Sequence, residues 1–135
     1  MADNFNLELV SPERLLLSEK VIEVVIPATE GEMTVMGNHA PVMTTLKPGV
    51  VRVKDVAGKT TSYVVFGGFA DVTPESCTLL AESAMSMEEL DREKLKKRID
   101  AANAELEAAL NYEHRTQVEN YLAELTRLNG IVMPA

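Results

Sequence analysis

A single cysteine, no tryptophan and two histidines leave this 135-residue chain poor in the side chains that do chemistry. One cysteine, Cys77, cannot form an internal disulfide, which excludes a stapled scaffold. A reducing compartment is the simpler setting. His39 and His114 lie in unrelated segments with no cysteine cluster beside either. A zinc site needs more ligands at tighter spacing. Aromatic residues make up only 4% of the chain, too few for a base-stacking platform. Basic residues are outnumbered by acidic ones, 13 against 21, for a net charge of -8 and a pI near 4.8. A phosphate-backbone binder needs the opposite balance, so no nucleic-acid partner is expected. No apolar run approaches the roughly 20 residues of a membrane-spanning helix. Direct membrane insertion is therefore not expected, and any membrane association runs through a partner. Met1-Ala2-Asp3-Asn4-Phe5 has neither a basic n-region nor an apolar h-region, unlike a secretory signal, and is acidic where a mitochondrial presequence is Arg-rich.

Apolar residues are present in ordinary proportion, 46%, and they follow two periods. Up to about residue 85 the apolar runs are short and alternate or cluster, which is the strand signal. Strands are expected near residues 5–10, 14–17, 21–27, 32–35, 42–46, 50–54, 60–66, 69–73 and 77–82. Turn chemistry separates them: Ser11-Pro12-Glu13, Thr73-Pro74-Glu75-Ser76, and Asp55-Val56-Ala57-Gly58-Lys59, a hairpin in which Gly58 is free to take positive φ. Many short strands divided by turns point to a sandwich or barrel. Val50 to Lys54 and Tyr63 to Phe66 are apolar on both sides, so cover on both faces is expected. A face left uncovered is a candidate docking surface.

Beyond residue 85 the period becomes helical. Ser86-Met87-Glu88-Glu89 reads as a capping box. Leu95, Ile99, Ala102, Leu106, Ala109 and Leu110 form one narrow stripe, and Val118, Tyr121, Leu122, Leu125 and Leu128 a second. Asn111-Tyr112 reads as the link and Asn129-Gly130 as the final stop. The expected fold class is α+β: an N-terminal antiparallel β-sandwich of about nine or ten short strands, then a C-terminal antiparallel two-helix hairpin. The domains are residues 1–85 and 86–135.

Nothing in the chain forms a recognisable catalytic set. Cys77, in Ser76-Cys77-Thr78-Leu79-Leu80, reads as a small buried hydrophobe. The P-loop pattern is absent, and Gly67-Gly68 leads into Phe69 instead of a helix start. Glu30, Glu32, Asp71 and Glu82 are carboxylates that no spacing sets apart. A small hydrolase would lack both nucleophile and base.

Two markers carry a family resemblance. One is Gly31-Glu32-Met33-Thr34-Val35-Met36-Gly37-Asn38-His39-Ala40-Pro41, running on to Leu46-Lys47-Pro48-Gly49. The other is Gly67-Gly68-Phe69-Ala70-Asp71-Val72. Together they resemble the epsilon subunit of F-type ATP synthases, called delta in mitochondria. The resemblance extends from Leu7 to about Leu128 and is stronger in the first half. It implies a non-catalytic rotor subunit on the cytoplasmic face of the bacterial inner membrane. The sandwich would couple the gamma subunit to the membrane c-ring, with no catalytic residue and no required cofactor. It implies that Gly37, Asn38, His39, Ala40 and Pro41 lie at or near the gamma interface, and that Glu32 faces the ring. For His39 a backbone-bonded structural role stands beside the partner contact. The resemblance also implies a mobile hairpin that restrains ATP hydrolysis, with Lys94, Lys96, Lys97 and Arg98 meeting the catalytic alpha/beta subunits. Some members bind regulatory ATP through [IL]-D-x-x-R-A. Here Leu90 and Asp91 match its start, but Lys94 and Leu95 replace Arg-Ala, and lysine lacks the guanidinium fork. A different class of reading also fits the residues: a β-sandwich protein-binding module with a helical dimerisation arm through Leu95, Ile99 and Leu106.

Overall fold

The computed structural model describes residues 4–87, 89–90 and 92–132. The chain divides into two compact units between Met87 and Glu88. The first is all-β: β1 (Phe5–Ser11), β2 (Arg14–Ala28), β3 (Gly31–Met36), β4 (Val42–Asp55), β5 (Thr60–Val72), β6 (Ser76–Ala81) and β7 (Ala84–Ser86). They form one seven-stranded sheet in the order β1-β6-β5-β4-β2-β3, with β7 on β5. Pairing of β1 with β2 closes the sheet on itself, so the sandwich is also barrel-like. Closure removes most of the free edges that an open sheet exposes.

Two details depart from the sequence reading. Six of the short strands expected merge in pairs into β2, β4 and β5, of 15, 14 and 13 residues. And β1 pairs with β6 in parallel, amid otherwise antiparallel ladders. In β4 and β5 the regular pleat breaks where a turn was read, whereas in β2 residues 18–20 continue the strand and the break lies further on. Gly67 and Gly68 in β5 take φ 102 and 137. Pro48 in β4 lies opposite Phe66, next to that break. In β2 the register shifts between Val25 and Ala28, around Pro27. Breaks at one level let a single strand serve both layers.

The Asp55–Lys59 hairpin follows its sequence signal. Asp55 Oδ1 accepts from the amides of Ala57 and Lys59, both at 2.9 Å, and Gly58 takes φ 85. Inside the closed sheet Leu7, Leu9, Val21, Val24, Ile26, Val51, Val53, Cys77 and Leu79 are buried. On β5, Val64, Val65 and Phe66 are all buried, so this strand is covered on both faces as expected. On β4, Arg52 and Lys54 are exposed, and the same expectation for residues 50–54 fails, because that outward side carries charge.

The second unit comprises α1 (Arg92–Ala108) and α2 (Tyr112–Val132), which pack on each other. Asn111 caps α2: its Oδ1 accepts from the His114 amide at 2.8 Å. His114 Nε2 lies 3.3 Å from Glu105 Oε1, tying the two helices near the link. Three sequence signals are corrected. Ser86 closes β7, so the Ser86–Glu89 box does not open a helix. Asn129-Gly130 lies inside α2, because tolerance of the left-handed conformation does not enforce it. Leu110 falls in the link and is 98% exposed, while Leu95, Ala102, Val118, Leu125 and Leu128 are buried.

Candidate partner-binding surfaces

The loop at residues 37–41 is built by backbone geometry. Asn38 takes φ 64, a conformation asparagine tolerates better than most residues. Its amide donates to the Pro74 carbonyl at 2.9 Å, and the His39 amide donates to Met36 at 3.3 Å. His39 Nδ1 lies 2.8 Å from the Ala40 carbonyl. A carbonyl only accepts, so Nδ1 carries the proton. His39 thus has the backbone bond that its structural alternative calls for, with Nε2 left for other use. Gly37 and His39 are half-buried, while Asn38, Ala40 and Pro41 are exposed.

The loop is braced against a second turn that sequence reading did not connect with it. Thr73 Oγ1 accepts from the Ser76 amide at 3.0 Å, and Glu75 O accepts from the Asn6 amide at 3.0 Å. Loop, turn and the start of β1 therefore converge. The only sequence signal for this was Pro74 punctuating two strands. Glu32 does not join them. It opens β3 while the loop follows its end, about 16 Å away along an extended strand. Its Oε2 accepts from Arg52 Nη2 at 2.8 Å. Both side chains are well exposed, so this pair contributes at most about 1 kcal/mol.

A larger surface runs across four strands. Phe69 on β5 stands opposite Leu80 on β6, Leu80 opposite Val10 on β1, and Val10 opposite Leu15 on β2. Phe69, Leu80 and Leu15 are 58%, 51% and 59% exposed, and Val10 is half-buried. Met43, opposite Asp71, extends the apolar area at 71% exposed. Phe69, Leu80 and Val10 line a shallow depression of about 360 Å³ with Pro12, Gly68, Ala81 and Glu82. A contiguous apolar row of this kind is a candidate interaction surface. The sequence signal lay in phase: Phe69 and Leu80 alternate with the buried Ala70, Val72, Leu79 and Ala81. Both sets are apolar, so alternation alone did not reveal which faced out.

On the hairpin, Lys94 Nζ donates to the Glu89 carbonyl at 2.9 Å. Lys96 and Lys97 are exposed and Arg98 is half-buried. Leu90 is buried, at 7%, and Asp91 lies outside the described residues. Burial, and secondarily the charge of Asp71, pushes the Cys77 thiol up to about 12, which keeps it protonated and inert at neutral pH. Among the described residues no helix is long and apolar enough to cross a membrane.

The comparisons with known proteins agree with this architecture. The family model of the ATP synthase delta/epsilon chain beta-sandwich domain matches residues 4–87. The ATP synthase epsilon chain of Allorhizobium ampelinum is 66% identical over 135 residues, 100% of both chains. That of Rhizobium meliloti is 67% identical over 135 residues, again 100% of both. A chain of the Euglena gracilis mitochondrial ATP synthase structure, OSCP/F1/c-ring in rotational state 1, matches with a TM-score of 0.75 at 30% identity, over 96% of this chain and 81% of its own. A chain of the Tetrahymena thermophila mitochondrial central stalk/c-ring structure matches with a TM-score of 0.65 at 13% identity, over 93% and 96%, a likeness of fold. With its sandwich matched by the family's own domain and its full length shared with close relatives, the chain belongs to the ATP synthase delta/epsilon chain family.

Proposed function

We propose that the chain is a non-catalytic central-stalk subunit of a proton-translocating ATP synthase, in which the sandwich links the gamma subunit to the c-ring. It would be held peripherally at the cytoplasmic face of a bacterial inner membrane. The observation that carries the reading is the exposed row Phe69, Leu80, Val10 and Leu15 on a chain whose relatives occur in F1/c-ring and central-stalk complexes. We assign that row to gamma. The braced loop of Gly37, Asn38, His39, Ala40 and Pro41 extends the same contact, and Glu32, some distance away, is assigned to the ring. The hairpin is assigned a restraining role, with Lys94, Lys96, Lys97 and Arg98 directed at acidic surface on the catalytic subunits.

The reading predicts that the full chain binds purified gamma as a defined complex. Absence of measurable affinity by calorimetry would overturn it. The hairpin is tested by truncation after Met87 in the assembled enzyme. ATP hydrolysis should rise while assembly is kept, and unchanged hydrolysis would remove the restraining role. Regulatory ATP has weaker support, because Leu90 is buried and Lys94 is engaged with the Glu89 carbonyl. Equilibrium dialysis should find no saturable ATP binding below about 1 mM.

The dimerisation-arm alternative needs an apolar stripe exposed on α1. Leu95 is fully buried within the single chain and Ile99 and Leu106 are half-buried, which favours the rotor reading.

A further inference from the structure

The apolar row is bordered by carboxylates on both sides. One step along the strands, the neighbouring outward row runs from Asp71 on β5 through Thr78 on β6 to Glu8 on β1. Asp71 and Glu8 are exposed. On the opposite border stands Glu82, at the rim of the depression. Its carboxylate is placed by the bend of β5: a Cβ on Gly67 would lie 3.3 Å from Glu82 Oε2, so a bare backbone there leaves the carboxylate its position. The Glu82 amide in turn donates to the Gly67 carbonyl at 3.0 Å. Elsewhere on the sandwich Glu32 is matched by Arg52 at 2.8 Å. Among the described residues, Asp71, Glu8 and Glu82 have no such cation.

An apolar strip whose borders hold three carboxylates without a paired cation, Glu8 sharing a depression with Lys20, selects its occupant by charge as well as shape. We infer that this face takes a segment whose apolar side chains are flanked on both sides by lysine or arginine, and that Glu8, Asp71 and Glu82 determine specificity for it. The inference rests on the assignment of the row to gamma and specifies what gamma must present there. An anionic lipid surface is repelled by the same borders, and a neutral apolar segment leaves the carboxylates desolvated without compensation. Border charges act mainly on the rate of encounter, while the apolar centre sets the lifetime of the complex.

The test is association kinetics of the full chain with purified gamma at low and high salt. Three proteins are compared: wild type, the combined variant Glu8→Gln, Asp71→Asn, Glu82→Gln, and Leu80→Ser. All replaced side chains are surface residues, and thermal unfolding checks that each variant is folded. Wild type should associate faster at low salt, by about tenfold or more. The combined variant should associate about five- to tenfold more slowly at low salt and lose most of the salt dependence, with dissociation unchanged within about twofold. Leu80→Ser should dissociate at least about tenfold faster with its salt dependence intact. If wild type binds and the combined variant keeps its rate and salt slope, the acidic borders are not read and the inference falls. An unaffected Leu80→Ser complex places the contact elsewhere and also overturns it. If wild type does not bind gamma at all, the underlying assignment fails instead.

Discussion

At Gly68 a side chain has no room, since a Cβ would run into the Leu80 carbonyl oxygen and the Ala81 Cα, and φ is 137 besides. Gly68→Ala is expected to cost about 2–4 kcal/mol, from backbone strain plus overpacking, read as a lowered urea midpoint. Asn38 offers a milder case. Asn38→Gly should be nearly neutral, whereas Asn38→Val should cost about 1–2 kcal/mol at φ 64, because a β-branched residue is strained there. Cys77 sets a pH dependence. Its folded pKa is raised from 9.0 to about 12, chiefly by burial, so folding favours the neutral thiol. That contribution is intact below pH 9.0 and is lost as pH climbs toward about 12. Tyr63, raised by burial and then by Glu19, adds to the loss with the same sign. Denaturant titrations should therefore show stability falling through this window, and Cys77→Ala should flatten part of the fall. No change with Cys77→Ala would refute the assignment. The buried character of Cys77 was legible from its apolar neighbours alone. The clash at Gly68 was not, because it depends on how closely β6 approaches.

Among the elements, the helical hairpin has the least favourable charge arrangement. Arg92, Lys94, Lys96, Lys97 and Arg98 occupy the N-terminal half of α1, and neither helix has a basic residue in its last turn. The basic run opposes the helix macrodipole and the last turns lack the cations that would support it, so only Glu93 and Glu113 in the first turns are favourably placed. Backbone amides of α1 and α2 are therefore expected to exchange with solvent through openings smaller than global unfolding, while the long β4–β5 hairpin is the last to exchange. Hydrogen-exchange mass spectrometry separates the two; equal protection would refute this. Asn111→Ala should weaken α2 locally by about 1 kcal/mol, seen as faster exchange at His114 and Arg115. The helices were legible from their stripes and the Asp55–Lys59 turn from its residues. The merging within β4 and β5 was not, because proline and glycine at a strand corner carry the same local signal as at a chain reversal, and within β2 polar Ser18-Glu19-Lys20 reads like a loop. The parallel β1–β6 pairing was hidden for another reason: it joins segments far apart in sequence, and no local pattern encodes it.

For the whole molecule, the net charge of -8 and the buried Leu95 argue for a chain that stays single in solution. Light scattering should return the 14.8 kDa mass of one copy, and a stable dimer would revive the arm reading. Family membership was legible from the two glycine-marked segments. The apolar row was not, since inward and outward apolar residues look alike until the sheet closes. That closure has a mechanical meaning. Three long strands continue through their bends without a chain reversal, and β1 bonds to β2 to complete the circuit. A load applied at one end is carried along covalent backbone and cross-bonded ladders, instead of across a slip plane between two separate sheets. Such a body resists shear and twist as a single strut, which is what the proposed place between gamma and the ring would require of it to deliver rotation without winding up.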